Sequence, residues 1–282
     1  MSEKSGLISE AVKSLPVEKV YDEMAGPTVR ETGKLIAKIP RSINALLLPF
    51  EGWILGKEHE LNKLNKVLEM KLEAIDSNKI TSPEPYIAVP TIQALFYCID
   101  NDELRELFAS LLANAMNSDH MHKVHPSFVE IIKQLSPFDA IMIKKGQYLQ
   151  GYRPILRIFE CDSIIDDDQA MIDAGMLEFC TSNLKKPVFS HYSKQIEGVG
   201  QDFQARSIAI FNLHRLGLIN TDYKERIILP NEYKAIYTEL IESDFYKLHM
   251  DIACKNGNFL RLTRGFTSPT EFGRLFYEVC CS

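Results

Sequence analysis

The chain has 282 residues, enough for one large or two medium-sized domains, and its 45% hydrophobic and 25% charged content is that of a globular protein. Its net charge of -6 argues against a generic nucleic-acid binder, which needs a basic surface, but leaves room for one local basic patch. None of the six cysteines forms a C-x-x-C pair and no apolar signal segment opens the chain, so we expect a cytoplasmic protein with reduced thiols.

The first distinctive segment begins at Thr28 and has a basic and an apolar helical face. Four basic residues fall within one narrow sector of the helix: Arg30, Lys34, Lys38 and Arg41. Most apolar side chains of residues 35–50 fall on the opposite side, and Trp53 stands at the edge of this stretch. Either the apolar face packs on the domain core, or the segment binds an anionic membrane surface, such as the inner membrane, or a partner protein. The apolar region, residues 42–56, is shorter than the roughly 20 residues that span a bilayer.

Residues 58–75 are predicted to form a helix with a narrow apolar stripe. The stripe consists of Leu61, Leu64, Leu68, Leu72 and Ile75. Such a stripe is typical of a helix pair, so we expect packing within the chain, with self-association as the alternative.

Three prolines predict a connector or a broken element over residues 77–90, followed by a helix over residues 91–99. Asp100 and Glu103 fit a capping pattern that opens another helix. The apolar positions of that helix predict a central place in the core: Leu104, Leu107, Phe108, Leu111, Leu112 and Met116.

Three clustered histidines are the best candidates for metal chemistry: His120, His122 and His125. Their spacing is not H-x-x-x-H, and no distant Cys/His pair completes a ligand set, so we expect them to cap helix ends rather than hold a metal. A hydrolase or nuclease at this segment is the least favoured alternative. No G-x-S-x-G, P-loop, G-x-G-x-x-G or H-E-x-x-H motif occurs, so the sequence indicates no catalytic residue, no cofactor and no small-molecule substrate.

Residues 125–137 contain two predicted helix starts. Pro126 suits the first turn of one helix, whose buried stripe includes Phe128. Ser136, Pro137 and Asp139 then form a second start signal, with an acceptor, a proline and a carboxylate in order. We place a domain boundary here, with a helical domain over residues 1–136 and a smaller domain over residues 137–282.

The C-terminal half mixes strands and helices. The sequence predicts a strand over residues 152–161, a helix over residues 203–216 that Gly217 ends, and a strand over residues 259–263. A final helix should start at Ser268 and Pro269. This order resembles a winged helix with a helical insertion over residues 231–255, so the fold class is mainly α with a C-terminal α+β winged-helix-like domain.

A winged helix would present polar residues to a DNA groove from its recognition helix. The available ones are Gln204, Arg206, Ser207, Asn212 and Arg215. From Asp202 to the end, however, ten Lys/Arg balance ten Asp/Glu, and DNA binding relies on phosphate neutralisation. We therefore expect a protein-contact module, and a DNA-binding regulator is the alternative.

The segment HPSFVEIIKQLSP, residues 125–137, resembles the signature of the abortive infection alpha family. Within it the resemblance depends on His125, Pro126, Phe128, Ser136 and Pro137. Supporting stretches are YDEMAGPTVRETGKLIAKI (residues 21–39), LLLPFEGWILGKE, ELRELFASLLANAMNSD (residues 103–119) and the closing FGRLF.

The resemblance implies a bacterial phage-defence protein, through which infected cells stop growing or die before phage matures. It supplies no catalytic residue to carry over. We therefore expect a non-enzymatic protein that acts through a protein partner or through self-association, with the membrane surface as a further candidate partner.

Overall fold

The computed structural model of this protein describes residues 58–161, 184–194, 202–223 and 231–281. These residues are mostly helical, with one antiparallel sheet of four strands in the C-terminal part. The chain divides into two compact units, the first formed by residues 1–135 with 278–282 and the second by residues 136–277.

Four helices build the described part of the first unit: α1 (Glu58–Glu73), α2 (Pro85–Cys98), α3 (Asp102–Ala115) and α4 (Ser127–Lys133). Short 3₁₀ turns, Ser77–Lys79 and Met121–Lys123, lie in two of the connections. Helix α3 is central, because α1, α2 and α4 all pack against it.

The leucine stripe of α1 packs within the unit. Leu64, Leu68 and Leu72 are buried, and α1 contacts α3. The apolar residues of α3 are buried as the sequence predicts, including Leu107, Phe108 and Leu111. Burying a side chain of this size stabilises a fold by about 1.5–3 kcal/mol, so this seam is a main source of stability in the first unit.

Two local predictions in the first unit are wrong. The residue that caps α3 is Asn101 rather than Asp100, and its side chain accepts from the backbone N–H of Leu104 at 2.9 Å. Helix α2 begins at Pro85 and runs unbroken through Pro90, where the sequence predicts a connector or a broken element. Pro90 costs about 3 kcal/mol inside a helix, and the burial of Ile87 and its neighbours on this helix offsets that cost.

The second unit contains one sheet and five helices in its described residues. Strands β1 (Arg153–Cys161), β2 (Leu184–Ser193), β3 (Ile219–Asp222) and β4 (Phe259–Pro269) form the sheet in the order β2-β1-β4-β3. The helices are α5 (Pro137–Gly146), α6 (Phe203–Arg215), α7 (Asn231–Glu242), α8 (Asp244–Lys255) and α9 (Glu271–Cys280). The last residues of α9, from Glu278 on, belong to the first unit.

Helices α7 and α8 occupy the stretch between β3 and β4 where the sequence predicts a helical insertion. They are part of the core, since α7 packs on β1 and α8 packs on β4. Their buried side chains, including Tyr237, Leu240 and Tyr246, form one cluster with Leu156 and Tyr192 of the sheet.

Helix α5 begins with the predicted capping box. The N–H of Asp139 donates to Ser136 Oγ at 3.1 Å, and the N–H of Ser136 donates to Asp139 Oδ2 at 2.7 Å. Two backbone donors that have no partner within the helix are satisfied in this way.

Gly217 ends α6 as predicted. Its φ is 72°, its N–H donates to the His214 carbonyl at 2.9 Å, and the N–H of Leu218 donates to the Leu213 carbonyl at 3.0 Å. This is the Schellman motif, and both Leu213 and Leu218 are fully buried behind it.

Helix α9 starts two residues later than predicted. Strand β4 continues to Pro269, which pairs with Ile219 of β3, and the capping acceptor is Thr270, whose Oγ1 lies 2.8 Å from the N–H of Gly273. The Thr270 hydroxyl also donates to the Gly217 carbonyl at 2.7 Å, and the Thr270 N–H donates to the Leu218 carbonyl at 3.1 Å. The pairing with β3 keeps Ser268 and Pro269 extended, which prevents them from starting the helix.

His191 of β2 is buried in a polar cluster. Its Nδ1 lies 2.6 Å from the Tyr223 hydroxyl, which itself donates to the Ser190 carbonyl, so Nδ1 must carry the proton. The Arg157 guanidinium lies 3.9 Å from the centre of the Tyr223 ring. Burial first, then the charges of Arg157 and His214, lower the pKa of His191 to about 4, and the ring is therefore neutral at physiological pH.

Replacing Gly273 by Ala should destabilise the second unit. A Cβ at this position would lie 1.9 Å from the Leu218 carbonyl oxygen, so the helix or the strand end must move. The free energy of unfolding should fall by about 1–3 kcal/mol or more, which is the cost of overpacking. A decrease is informative because Gly→Ala inside a helix otherwise raises the free energy of unfolding by about 1 kcal/mol. The measurement is urea unfolding followed by circular dichroism.

Gly151→Ala is the matched control, because a Cβ there meets nothing within 4 Å. An unchanged or raised midpoint for Gly273→Ala would contradict the close approach.

The pH dependence of stability should report on His191. The pKa of His191 is about 4 in the folded protein and about 6.5 in the unfolded chain, so protonation favours the unfolded chain. The fold therefore has its full stability above pH 6.5 and loses stability as the pH falls towards 4. Between pH 7 and pH 5 we expect a loss of about 2 kcal/mol in the free energy of unfolding. His191→Gln should remove this loss, whereas replacement of the exposed His122 should leave it. Equal slopes for the two variants would contradict the assignment.

Candidate functional site

The predicted membrane or partner residues lie outside the described part of the chain. These are Arg30, Lys34, Lys38, Arg41 and Trp53. Within the described residues, no helix combines the length and the apolar character that crossing a bilayer requires.

The residues of the signature segment, residues 125–137, mainly start and end helices or lie in the core. The ring Nδ1 of His125 accepts from the N–H of Ser127 at 3.1 Å, which caps the first turn of α4. Pro126 directly precedes that helix, and Phe128 is fully buried in it. With Ser136 and Pro137 opening α5, the residues that identify the segment act by ending and starting helices.

The other two histidines differ in their surroundings. His122 is exposed, whereas His120 is half-buried and its Nδ1 lies 2.7 Å from Asn114 Oδ1. In the ranges that the structure describes, no three His, Cys, Asp or Glu side chains come together in a way that could hold a metal ion.

An open pocket of about 610 Å³ lies beside His120 in the first unit. Its apolar wall comes from the C-terminal half of α1, including Val67 and Met70, and from Ala113 of α3. Its polar end comes from Asn114, Asn117, Asp119 and His120, which all belong to the end of α3 or to the turn after it. The sequence signal for this pocket is the stretch ANAMNSDH, which pattern reasoning treats as a helix end.

The amide of Asn114 fixes the tautomer of His120. Asn114 Nδ2 donates to the Ser110 carbonyl at 3.1 Å and to the Val279 carbonyl at 2.9 Å. Its Oδ1 therefore faces His120, and since that oxygen can only accept, Nδ1 of the ring carries a proton. In the neutral ring, Nε2 is then an acceptor.

Asn117 is 8% exposed, and its amide orientation is fixed as well. Its Oδ1 accepts from the N–H of Asp119 at 3.0 Å, so its Nδ2 is turned the other way. Asp119 Oδ2 pairs with Lys79 Nζ at 2.6 Å. The hydrogen bond from Lys79 lowers the pKa of the Asp119 carboxyl and raises that of the Lys79 ammonium, so both stay charged at neutral pH.

Two of the described cysteines, Cys98 and Cys280, are not activated nucleophiles. Five are described and none forms a disulfide: Cys98, Cys161, Cys254, Cys280 and Cys281. Burial raises the pKa of Cys98 to about 11 and that of Cys280 well above its usual value, so these two remain protonated thiols.

Arg206, which the DNA-binding alternative makes available to a groove, does not lie on the surface. Arg206 is fully buried, and its guanidinium carbon lies 4.3 Å from the centre of the Phe203 ring. Desolvation lowers the pKa of this guanidinium, with Tyr148, Tyr192 and Asp202 acting in the opposite direction. Arg206 therefore belongs to the interior of the second unit.

The other candidate DNA contacts on α6 are engaged in the fold, except Gln204, which is exposed. Asn212 Nδ2 donates to Asp139 Oδ2 at 2.9 Å, which ties α6 to the capping box of α5. Arg215 donates twice to Asn212 Oδ1, at 2.7 and 3.1 Å, and Ser207 Oγ accepts from the N–H of His191 at 3.2 Å.

The exposed face of α6 is instead apolar at its centre. Ile208 is 59% exposed and Phe211 is 57% exposed, and they lie one turn apart. Their apolar character alone does not reveal that these two side chains face solvent. Gln204 and Arg215, which are also exposed, flank the pair.

The chain matches the family described as abortive infection alpha over residues 56–280. No curated protein and no solved structure shows a significant match. The matched range includes the pocket residues, the signature segment and α6.

Replacing Asn212 by Ala should lower stability, because it takes one hydrogen bond from the buried Asp139 carboxylate. A hydrogen bond to a charged group contributes about 1.5–3 kcal/mol, and that loss is expected in urea unfolding. Gln204→Ala is the control, and its effect should stay within about 0.5 kcal/mol because Gln204 is exposed. Equal stability of the two variants would show that Asn212 has no such structural role.

Proposed function

Because the chain belongs to the abortive infection alpha family, we propose that it acts in phage defence, by binding a protein partner rather than by catalysis. The family match over residues 56–280 is the observation that supports the proposed role in phage defence. The surface of α6 supports the partner contact.

The α6 surface has the features of a helix that docks into a groove. Gln204, Ile208, Phe211 and Arg215 follow one another at intervals of four, three and four residues, which places them on one face. Large apolar side chains near the centre of a contact, with a polar rim, are the usual source of binding energy in protein interfaces. The partner chemistry that fits is an apolar groove of a folded protein, wide enough for one aromatic ring.

A DNA-binding regulator is the second candidate. Helix α6 followed by the antiparallel strands β3 and β4 favours it, since this is the succession that suggests a winged helix. The side chains of α6 argue against DNA binding, because Arg206 is buried and Arg215 is hydrogen-bonded to Asn212. The balance of charge in this part of the chain also gives little phosphate neutralisation.

The basic N-terminal segment is the candidate effector in this proposal. Its four cations and Trp53 form the pattern of a helix that lies on an anionic membrane, so the defence response would include contact with the inner membrane from the cytoplasmic side. This part of the proposal depends on the sequence pattern alone.

Replacing Ile208 and Phe211 together by Ser should abolish protection in cells challenged with phage. Two anchors of this kind contribute about 2 kcal/mol or more each, so partner affinity should fall by at least about a hundredfold. Plaque counts and cell survival are the measurement. The matched control replaces Leu248 and Ile252 of α8 by Ser, an exposed apolar pair on another helix.

Protection that survives the α6 replacement, in a variant that still folds, would contradict the partner contact. Loss of low-salt duplex DNA binding in the same variant would move the assignment to the DNA-binding regulator. Dye release from anionic liposomes tests the effector segment, with Arg30, Lys34, Lys38 and Arg41 changed to Glu. No difference in release removes the membrane part of the proposal.

A further inference from the structure

The pocket of the first unit combines an apolar wall with a polar end of fixed geometry. Its volume of about 610 Å³ lies within the range of about 300–1,000 Å³ that small-molecule sites occupy. Val67, Met70 and Ala113 supply apolar surface, against which a flat ring can pack.

Asn117 supplies a directed donor at the polar end. The side chain is more than nine-tenths buried, its Oδ1 is held by the N–H of Asp119, and the described part of the chain gives its Nδ2 no acceptor. Because this Nδ2 is not sealed from solvent, water satisfies it in the free protein, and a ligand acceptor in the pocket would take the place of that water.

His120, from the same turn, supplies an acceptor. Its Nδ1 proton points to Asn114, and its Nε2 has no partner among the described residues. The backbone N–H of His120 donates to the Asn117 carbonyl at 2.9 Å, so the two side chains belong to one turn. The pocket lining therefore includes an amide donor and an imidazole acceptor from one turn of the chain.

The charges around the pocket select against anions. Among the described lining residues, Lys79 pairs with Asp119, and two further carboxylates, those of Asp76 and Glu106, accompany one further ammonium, that of Lys71. A phosphate would meet net negative charge here, whereas an uncharged ligand meets no repulsion.

We propose that this pocket binds a small uncharged molecule with a nucleobase edge, in which a ring acceptor stands beside an amino donor. The ring acceptor takes the Asn117 Nδ2 proton, and the amino group donates to His120 Nε2. The ring plane packs against the apolar wall. This proposal is independent of the defence role, because it concerns binding by the purified chain.

The test is calorimetric titration of the full-length chain with three probes. Adenosine carries the required edge, purine riboside lacks the amino donor, and adenosine monophosphate adds the anionic group. We expect saturable binding of adenosine with one site per chain, and binding at least about tenfold weaker for each of the other two probes.

Variants then locate the site. Asn117→Asp keeps the oxygen that accepts from Asp119 and removes the donor, and His120→Phe removes the acceptor. Each should weaken adenosine binding by about tenfold or more, while His122→Phe, two residues away and outside the pocket, should leave it unchanged. Ala74→Trp adds bulk at an exposed position of the pocket wall and should block binding without touching either polar group.

Thermal unfolding of each variant verifies that it is folded. If a variant of Asn117 or His120 is unfolded, the Ala74→Trp variant alone tests whether adenosine binds in this pocket. Three results would overturn the proposal: no heat with adenosine at millimolar concentration, equal affinity for the three probes, or binding that Ala74→Trp leaves intact. A failure of phage protection in cells would leave this binding result standing, so the two proposals are tested separately.

Discussion

The close contact between the Leu218 carbonyl and Gly273 is the constraint on which the C-terminal part of the second unit depends. It lets the start of α9 lie directly against the end of α6, where the left-handed Gly217 has already turned the chain. Thr270 then fills two roles at the junction, as the cap of α9 and as a donor to the carbonyls of Gly217 and Leu218 just beyond α6. A side chain larger than hydrogen at Gly273 has no room in this arrangement, which explains the glycine of the FGRLF stretch in physical terms.

Polar side chains are used for structure more often than their positions in the sequence suggest. Asn212 links α6 to the capping box of α5, His125 caps α4, and Asn114 holds both its own helix and the Val279 carbonyl. Side chains with spare bonding capacity lie elsewhere, at Asn117 and His120. Polar side chains at helix ends stand out in a sequence as candidates for function, but many of them are already hydrogen-bonded to the backbone.

Helix ends were predictable where the signal is local. The capping box at Ser136 and the Schellman motif at Gly217 each need only a few adjacent residues, and both are present as predicted. The start of α9 was not predictable in this way, because pairing with β3 holds Ser268 and Pro269 in the strand. The helical conformation of residues 85–90 was not predictable from the sequence for a related reason, since burial of the α2 side chains outweighs the cost of Pro90.

The sequence by itself determined the family, the mostly helical character and the periodic core of α1 and α3, because these follow from residue order and spacing alone. Only the tertiary structure decided which side chains of α6 are inside. Helix α6 carries the apolar Ile208 and Phe211 as well as the charged Arg206, yet packing against β2 and α5 buries Arg206 and leaves the apolar pair in solvent. The direction in which a helix faces is set by the elements that cover it, and those elements are distant in the sequence. The pocket beside His120 is a tertiary feature for the same reason, since its two walls come from helices that only folding brings together.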